Sequence, residues 1–468
     1  MRVNKKHILI LTIIAIFPAI LFTTCFTGYS GSTGTLVLTV GGTGNVRMAV
    51  GEKEPASLEH EAIISGPGGT TSYEFVGSSI EIPLPQGSYN ITIRAVGATP
   101  DEYNTIPGKS NKEENPTFSA EMLRAYGWAD EVKVIAGEYS TPTIKMETAT
   151  EVSNYPQLKR AIDVAGEKPE IILIKSDIEI SDDGIEAYCI PINGDKEITI
   201  LTEEKVSIIR KGTKPFVLIV VYGGAKLTLG RNGMLGELII DGNYTEARII
   251  EVYSAKVVLN DSVIVQNTKD LAVHIDGFPE PKGTFTMNGG IITNNNKDGG
   301  GVQVDPNGIF NMYNGEISGN IVKTEGGGVK VNSGVFNMHG GFIKDNIAII
   351  NDGNPADGAI GGGVFVGGSG EFNMDGGTIS GNKADVKGDS IYTAKGGGVY
   401  IDYGSKFSKT GGTIYGIDNK VLQNTAVEGE GDAVYAMGNA GGGISNKIKN
   451  KTVGTKDDLS TDSTEGWD

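Results

Sequence analysis

Four residues in the middle of the chain have side chains suited to acid–base or metal chemistry: His274, Asp276, Asp305 and Lys330. A lysine or histidine can take a proton, two carboxylates can chelate Ca²⁺, and a carboxyl pair at a set separation can cleave a glycosidic bond. Phe365, Tyr400 and Asp402 continue the series with aromatic and acidic groups suited to binding. Any such chemistry requires that the surrounding elements bring these residues to one surface.

Those elements come from a repeat. GGGVQV, IFNM and GEISGN occupy 299–304, 309–312 and 315–320. GGGVKV, VFNM and GFIKDN follow at 326–331, 335–338 and 341–346, then GGGVFV, EFNM and GTISGN at 361–366, 371–374 and 377–382. GGGVYI, KFSK and GTIYGI at 396–417 form the last full copy; weaker copies start near residue 250 and a frayed one, DAVYAM, follows at 432–437. The period is about 25–28 residues, stretched to about 35 by insertions, which signifies a stacked repeat. Each copy has three short strands and no helix. The predicted fold is all-β: a right-handed parallel β-helix of three strands per coil and about 8–10 coils. At roughly 4.8 Å per coil it is a rod on the order of 40–50 Å long.

Alternation within the strands assigns faces. The inward columns run through Val302, Val329, Val364 and Val399; through Phe310, Phe336, Phe372 and Phe407 with Met312, Met338 and Met374; and through Ile264, Ile292, Ile317, Ile343, Ile379 and Ile414. Asn267, Asn295, Asn320, Asn346 and Asn382 share one position, where stacked amides satisfy one another, and this column resembles the asparagine ladder of parallel β-helices. Lys409 in place of Met, and Ile417 in place of Asn, mark the end of the stack, where the core opens to water. Outward columns of the first strand read Glu251, His274, Gln303, Lys330, Phe365, Tyr400 and Tyr253, Asp276, Asp305, Asn332, Gly367, Asp402. That predicts one exposed patch holding His274, Asp276, Asp305 and Lys330. Inserted loops at 347–360, 383–395 and 418–431 leave one corner and form a lateral shelf, a place where binding evolves.

The patch resembles the working face of β-helix polysaccharide lyases, in which carboxylates hold Ca²⁺ and a basic residue abstracts a proton. No local pectate-lyase or polygalacturonase motif accompanies it. All seven Arg after Arg2 lie before residue 249, so the repeat has no guanidinium for uronates. The favoured expectation is no catalytic residue, no metal and no cofactor; the alternative is a lyase or hydrolase using His274, Asp276, Asp305 and Lys330, with Ca²⁺ on Asp276 and Asp305. A net charge of −17 without a basic face argues against nucleic acid.

Arg2, Lys5 and Lys6 followed by ILILTIIAIFPAILF (8–22) form a secretory signal. LFTTC at 21–25 resembles a bacterial lipoprotein signal, which implies acylation of Cys25, with Phe22 and Thr24 departing from the usual pattern. Residues 1–24 are then the signal peptide and 25–34 a tether. Cys189 is left alone, a small buried hydrophobe with no disulfide framework. Residues 35–147 hold TLVLTV, VRMAV, TSYEF, SIEIPL, SYNITIRAV and EVKVIA, a small β-sandwich whose PQGSYNITIRAVG resembles immunoglobulin-like or transthyretin-like modules; 101–116 is an exposed insertion. SNYPQLKRAIDVAG (153–166) predicts a helix that resembles the N-terminal cap of a β-helix spanning 151–440, and 441–468 is a polar tail predicted to be disordered.

The repeat wording GGGVxV…FNM…GGTISGN resembles β-helix repeats of treponemal and other spirochaete surface lipoproteins, and more distantly those of chlamydial polymorphic outer-membrane proteins. The resemblance implies a surface-exposed scaffold or adhesin and gives no ligand; the chain is expected to be a monomer anchored in the outer membrane through its lipid, with host matrix, a cell-surface protein or a glycan as partner.

Overall fold

The computed structural model describes residues 33–40, 59–76, 79–96, 123–166, 169–181, 189–212, 214–277, 282–297, 299–350, 358–387, 394–416, 423–427 and 432–436. The chain divides into two units, 1–148 and 149–468. The signal, Cys25, residues 26–32 of the tether, VRMAV (46–50), 101–116 and the tail lie outside the described residues; the last two residues expected in the tether, Thr33 and Gly34, instead open the first strand.

In the first unit, Thr33–Val40 pairs antiparallel with Ser79–Pro85 and parallel with two short strands near residues 139–144. A second sheet runs Gly69–Val76, Glu59–Gly66, Gly87–Val96, Leu123–Val134, all antiparallel. Alternation puts Leu36, Leu38, Ile82 and Leu84 of the first sheet against Ala62, Ile64, Ile91 and Ile93 of the second in one core, as a sandwich requires. Glu59–Gly66 was not legible as a strand because its first inward position is a histidine. His60 is buried and stacks on Phe75 at 4.9 Å between ring centroids.

The second unit opens with a helix, Tyr155–Val164. Asn154 caps it by accepting from the Gln157 N–H at 3.0 Å, and Leu158, Ala161 and Ile162 face inward. From Glu170 the chain winds as a parallel β-helix. Nine strands from Glu170–Ile174 to Lys406–Lys409 form the Phe sheet. Nine from Ile178–Ile180 to Thr413–Ile414 form the Ile sheet, and nine from Ile190–Asn193 to Val434–Ala436 the Val sheet. Every strand pairs in parallel with its equivalent one coil on, so like side chains stack. Phe310, Phe336, Phe372 and Phe407 lie with centroids 4.7–4.9 Å apart. Each is almost wholly buried, a burial that stabilises by roughly 1.5–3 kcal/mol per side chain.

The structure corrects the expected registers in three places. Val265, not Ile264, aligns with Ile292, and Thr268, not Asn267, accepts the place before Asn295 in the ladder. A one-residue slip reverses every face; Asn267 sits at φ 63° and donates to Asp241 instead. The ladder does not end near Ile417, which lies outside the described residues: Asn424 re-enters, buried, and accepts from Asn382 at 2.8 Å. Lys409 is likewise not at a wet end but 2% exposed beneath Met374. Finally, the segments read as loops begin as strands. Ile321–Val322, Ile347–Ile350, Lys383–Val386 and Thr425–Ala426 form a fourth parallel ladder, and Ile350, Ala359, Ala384, Ala394 and Ala426 pack into a small core of their own.

Candidate functional site

The outward positions of the Val sheet carry the predicted site residues in register: Glu251, His274, Gln303, Lys330, Phe365, Tyr400 and Tyr435. The sheet brings His274 and Asp305 together, with Nε2 of the ring 2.7 Å from Asp305 Oδ2. The other ring nitrogen, Nδ1, lies 3.1 Å from Arg248 Nη1. A guanidinium only donates, so Nδ1 is the acceptor, and the ring proton sits on Nε2 and is donated to Asp305. Arg248 also donates to Glu251 at 2.7 Å. The Tyr253 ring meets His274 edge-on at 5.9 Å.

Arg248 opens the weak copy RIIEVY and was passed over because only the stronger copies, which hold no arginine, were weighed for a guanidinium. The β-helix starts at Glu170, so Arg210, Arg231 and Arg248 lie inside it, and it is not free of arginine. Arg210 positions Arg248. It occupies an inward place in the Ile sheet, fully buried. Its guanidinium donates to Thr245 Oγ1, to the Ala247 carbonyl at 3.0 Å, and to the Arg248 carbonyl. Burial lowers its pKa to about 10, so it remains a cation at neutral pH.

Asp305 accepts four hydrogen bonds. Oδ1 takes Gln303 Nε2 at 3.0 Å and Asn332 Nδ2 at 3.1 Å; Oδ2 takes His274 and Gln303. Burial pushes its carboxyl pKa up, but the bonds from His274, Gln303 and Asn332 outweigh that and hold it below the usual carboxylate range. A carboxylate so filled with N–H donors has no lone pair to offer Ca²⁺. Among the described residues no group of three or more His, Cys, Asp or Glu side chains is placed to hold a metal ion. Burial, with the adjacent Glu251, raises the Tyr253 phenol to about 12.

The predicted patch is therefore neither exposed nor complete. His274 is 5% exposed. Lys330 turns away, pairing with Glu325 at 2.7 Å and lying 5.8 Å from the centroid of Phe365. Asp276 stands opposite Tyr253 in register, outside the His274–Asp305 contact. Phe365 and Tyr400, expected to be open to a ligand, are only 6% and 5% exposed. They stack at 5.7 Å, and Tyr435 continues the stack at 5.4 Å. The glycine triplets explain the covering. Gly326, Gly361 and Gly396 have φ near +65°, and a Cβ at Gly361 would lie 2.4 Å from the Val364 carbonyl oxygen, which leaves room for glycine alone. There the chain folds back over the strand it enters. The preceding residues Glu325, Ile360 and Lys395 pair in parallel outside it, Ile360 packing on Phe365 and Tyr400. Asp402 stays half-buried beyond the stack.

The Asp305 network gives a checkable stability effect. Its carboxyl titrates lower in the folded chain than in the unfolded one, so its contribution is present above the ordinary carboxylate pKa and fades as pH falls through the depressed one. Asp305→Asn is expected to lower unfolding free energy by about 1–2 kcal/mol at pH 6. In paired denaturation curves at pH 6 and pH 2.5, the gap should shrink at the acid end.

These features define an all-β, parallel β-helix repeat protein with a polar cluster on one wall. No protein-family model, no curated protein and no solved structure matches the chain.

Proposed function

We propose that the chain is a non-enzymatic interaction scaffold of the cell envelope, anchored to a membrane through a lipid on Cys25 and displaying the β-helix at the surface. The observation that supports this over a polysaccharide lyase or hydrolase is the state of the His274–Asp305 cluster. Both ring nitrogens and both carboxylate oxygens are engaged within the protein, so neither group is free to take a proton from a substrate. Lys330, the other base of that reading, is held by Glu325. The remaining repetition serves stacking, and what a stacked wall offers is a long surface on a rigid support.

The test is product analysis. The purified chain, incubated with neutral and acidic glycans with and without Ca²⁺, is expected to release neither new reducing ends nor unsaturated products. Turnover abolished by Asp305→Ala or His274→Ala would overturn the non-enzymatic reading. The anchor is tested separately in the same preparation: Cys25→Ala should move the protein from the detergent phase to the aqueous phase, and unchanged partition would refute acylation.

A further inference from the structure

The outer wall of the Phe sheet uses the same residue types as the His274 cluster in the opposite way. Asn311, Asn337 and Asn373 stand outward in register between the buried Phe and Met columns. Asn337 donates to Asn311 Oδ1 at 2.8 Å and Asn373 to Asn337 Oδ1 at 3.1 Å. An amide has two N–H donors and a carbonyl with two lone pairs, so among the described residues Asn337 keeps one N–H and Asn311 two, while Asn373 spends its second on Glu371 Oε1 at 3.0 Å. Immediately beside them, Tyr313 and His339 stack at 4.7 Å with 17° between ring planes. His339 Nδ1 is held by both Asp375 carboxylate oxygens at 2.9 Å. Its Nε2 and the Tyr313 hydroxyl have no hydrogen-bond partner among the described residues, and Tyr313 is 53% exposed. On the other side of the amides lie Ile309 and Val335, half-buried.

We infer that this wall binds a linear, uncharged polysaccharide running along the stack, an inference that rests on the scaffold reading above. Three properties of the wall select that ligand. An apolar row, an amide row and an aromatic row lie side by side, which suits a chain of sugars with C–H faces and hydroxyl rims. Thr286, Ile309, Asn311, Val335 and Asn337 carry no charge, the next coil borders them with the carboxylates of Glu371 and Asp375, and the whole chain is at −17, so a polyanion is repelled while a neutral polymer is not. Among the described residues the open groups lie on two adjacent coils, Asn311 with Tyr313 and Asn337 with His339, roughly 4.8 Å apart. Each contributes little alone, so a polymer that engages several at once is favoured over a single sugar. In the His274 cluster, by contrast, equivalent groups are filled and covered.

The full-length chain in detergent, titrated calorimetrically with cellohexaose, chitohexaose and mannohexaose, is expected to bind at least one of them, with hexagalacturonate weaker. Tyr313→Ala and Asn337→Ala should each weaken that binding about tenfold, while Phe342→Ala, exposed on the Ile sheet, leaves it unchanged. Tyr313 is outside the core, and thermal melts of Asn337→Ala separate lost binding from lost fold. Binding to no neutral hexasaccharide, preference for the uronate, or affinity unchanged in both wall variants would overturn the inference. Cleavage of a bound hexasaccharide would instead overturn the non-enzymatic reading and leave the wall's role standing.

Discussion

Asn346→Ala is expected to lower the unfolding free energy by about 4 kcal/mol, a loss most surface asparagines would not produce. The Asn346 side chain is fully buried and works in two directions. Its oxygen accepts from the Asn320 backbone N–H at 3.1 Å and from Asn320 Nδ2 at 2.9 Å. Its nitrogen donates to the Ile317 carbonyl and to Asn382 Oδ1, both at 2.9 Å. Alanine leaves a buried N–H and a buried carbonyl without partners, each costing about 1–3 kcal/mol, and it interrupts a ladder that runs from Thr268 to Asn424. Asn337→Ala is the control, because Asn337 is half-buried on the wall with water as a substitute partner; its cost should stay under about 1 kcal/mol. Equal midpoint shifts for the two variants in denaturant titrations would show that the buried ladder does not carry the stack.

The part of this fold legible in the sequence is the part that repeats. A Phe two residues before a Met, recurring with Val and Ile at fixed offsets, leaves only stacked coils as a way to bury every copy. Where the repeat weakens, the reading slipped by one residue. SVIVQN and GIITNN look alike end to end, yet Val265 pairs with Ile292, because three consecutive branched residues in 263–265 do not reveal which alternates inward. Asn424 escaped notice for a different reason. An insertion separates it from its coil, and only closure of the ladder in space returns it to the column.

The candidate site was legible as a set of positions but not as a chemical state. Alternation placed His274, Gln303 and Asp305 on one face correctly, and it predicted that face to be wet. What it omitted is the second layer. A Gly-Gly-Gly run reads as a bend with positive φ at the entry to the strand, and at Gly361 it is one, but the bend also folds Ile360 back onto Phe365 and Tyr400. Nor could spacing show that Arg210, from the core, fixes the carbonyl of Arg248 and so aims its guanidinium at His274. Contacts of this kind are between coils, and no local pattern encodes them. The same reasoning separates the two histidine–aspartate pairs. His274 has partners on both nitrogens, Arg248 and Asp305, whereas among the described residues His339 has one, Asp375.

Lys409→Met is expected to stabilise the protein by about 2 kcal/mol at pH 7, with a gain that narrows in alkali. Lys409 continues the column of Met312, Met338 and Met374 and is 2% exposed. Burial lowers its pKa from 10.5 to about 8, since a cation taken from water into an apolar column is disfavoured. Below pH 8 both folded and unfolded chains hold the proton, and the cost of burying the charge is fully present. Between about pH 8 and 10.5 the unfolded chain binds more protons than the folded one, so wild-type stability rises with pH across that window. Methionine removes the charge and so removes this slope. The measurement is a pair of denaturation curves, variant and wild type, at pH 7 and pH 10.5. A variant less stable than wild type at pH 7 would mean that the contacts the ammonium makes in the last coil are worth more than its desolvation.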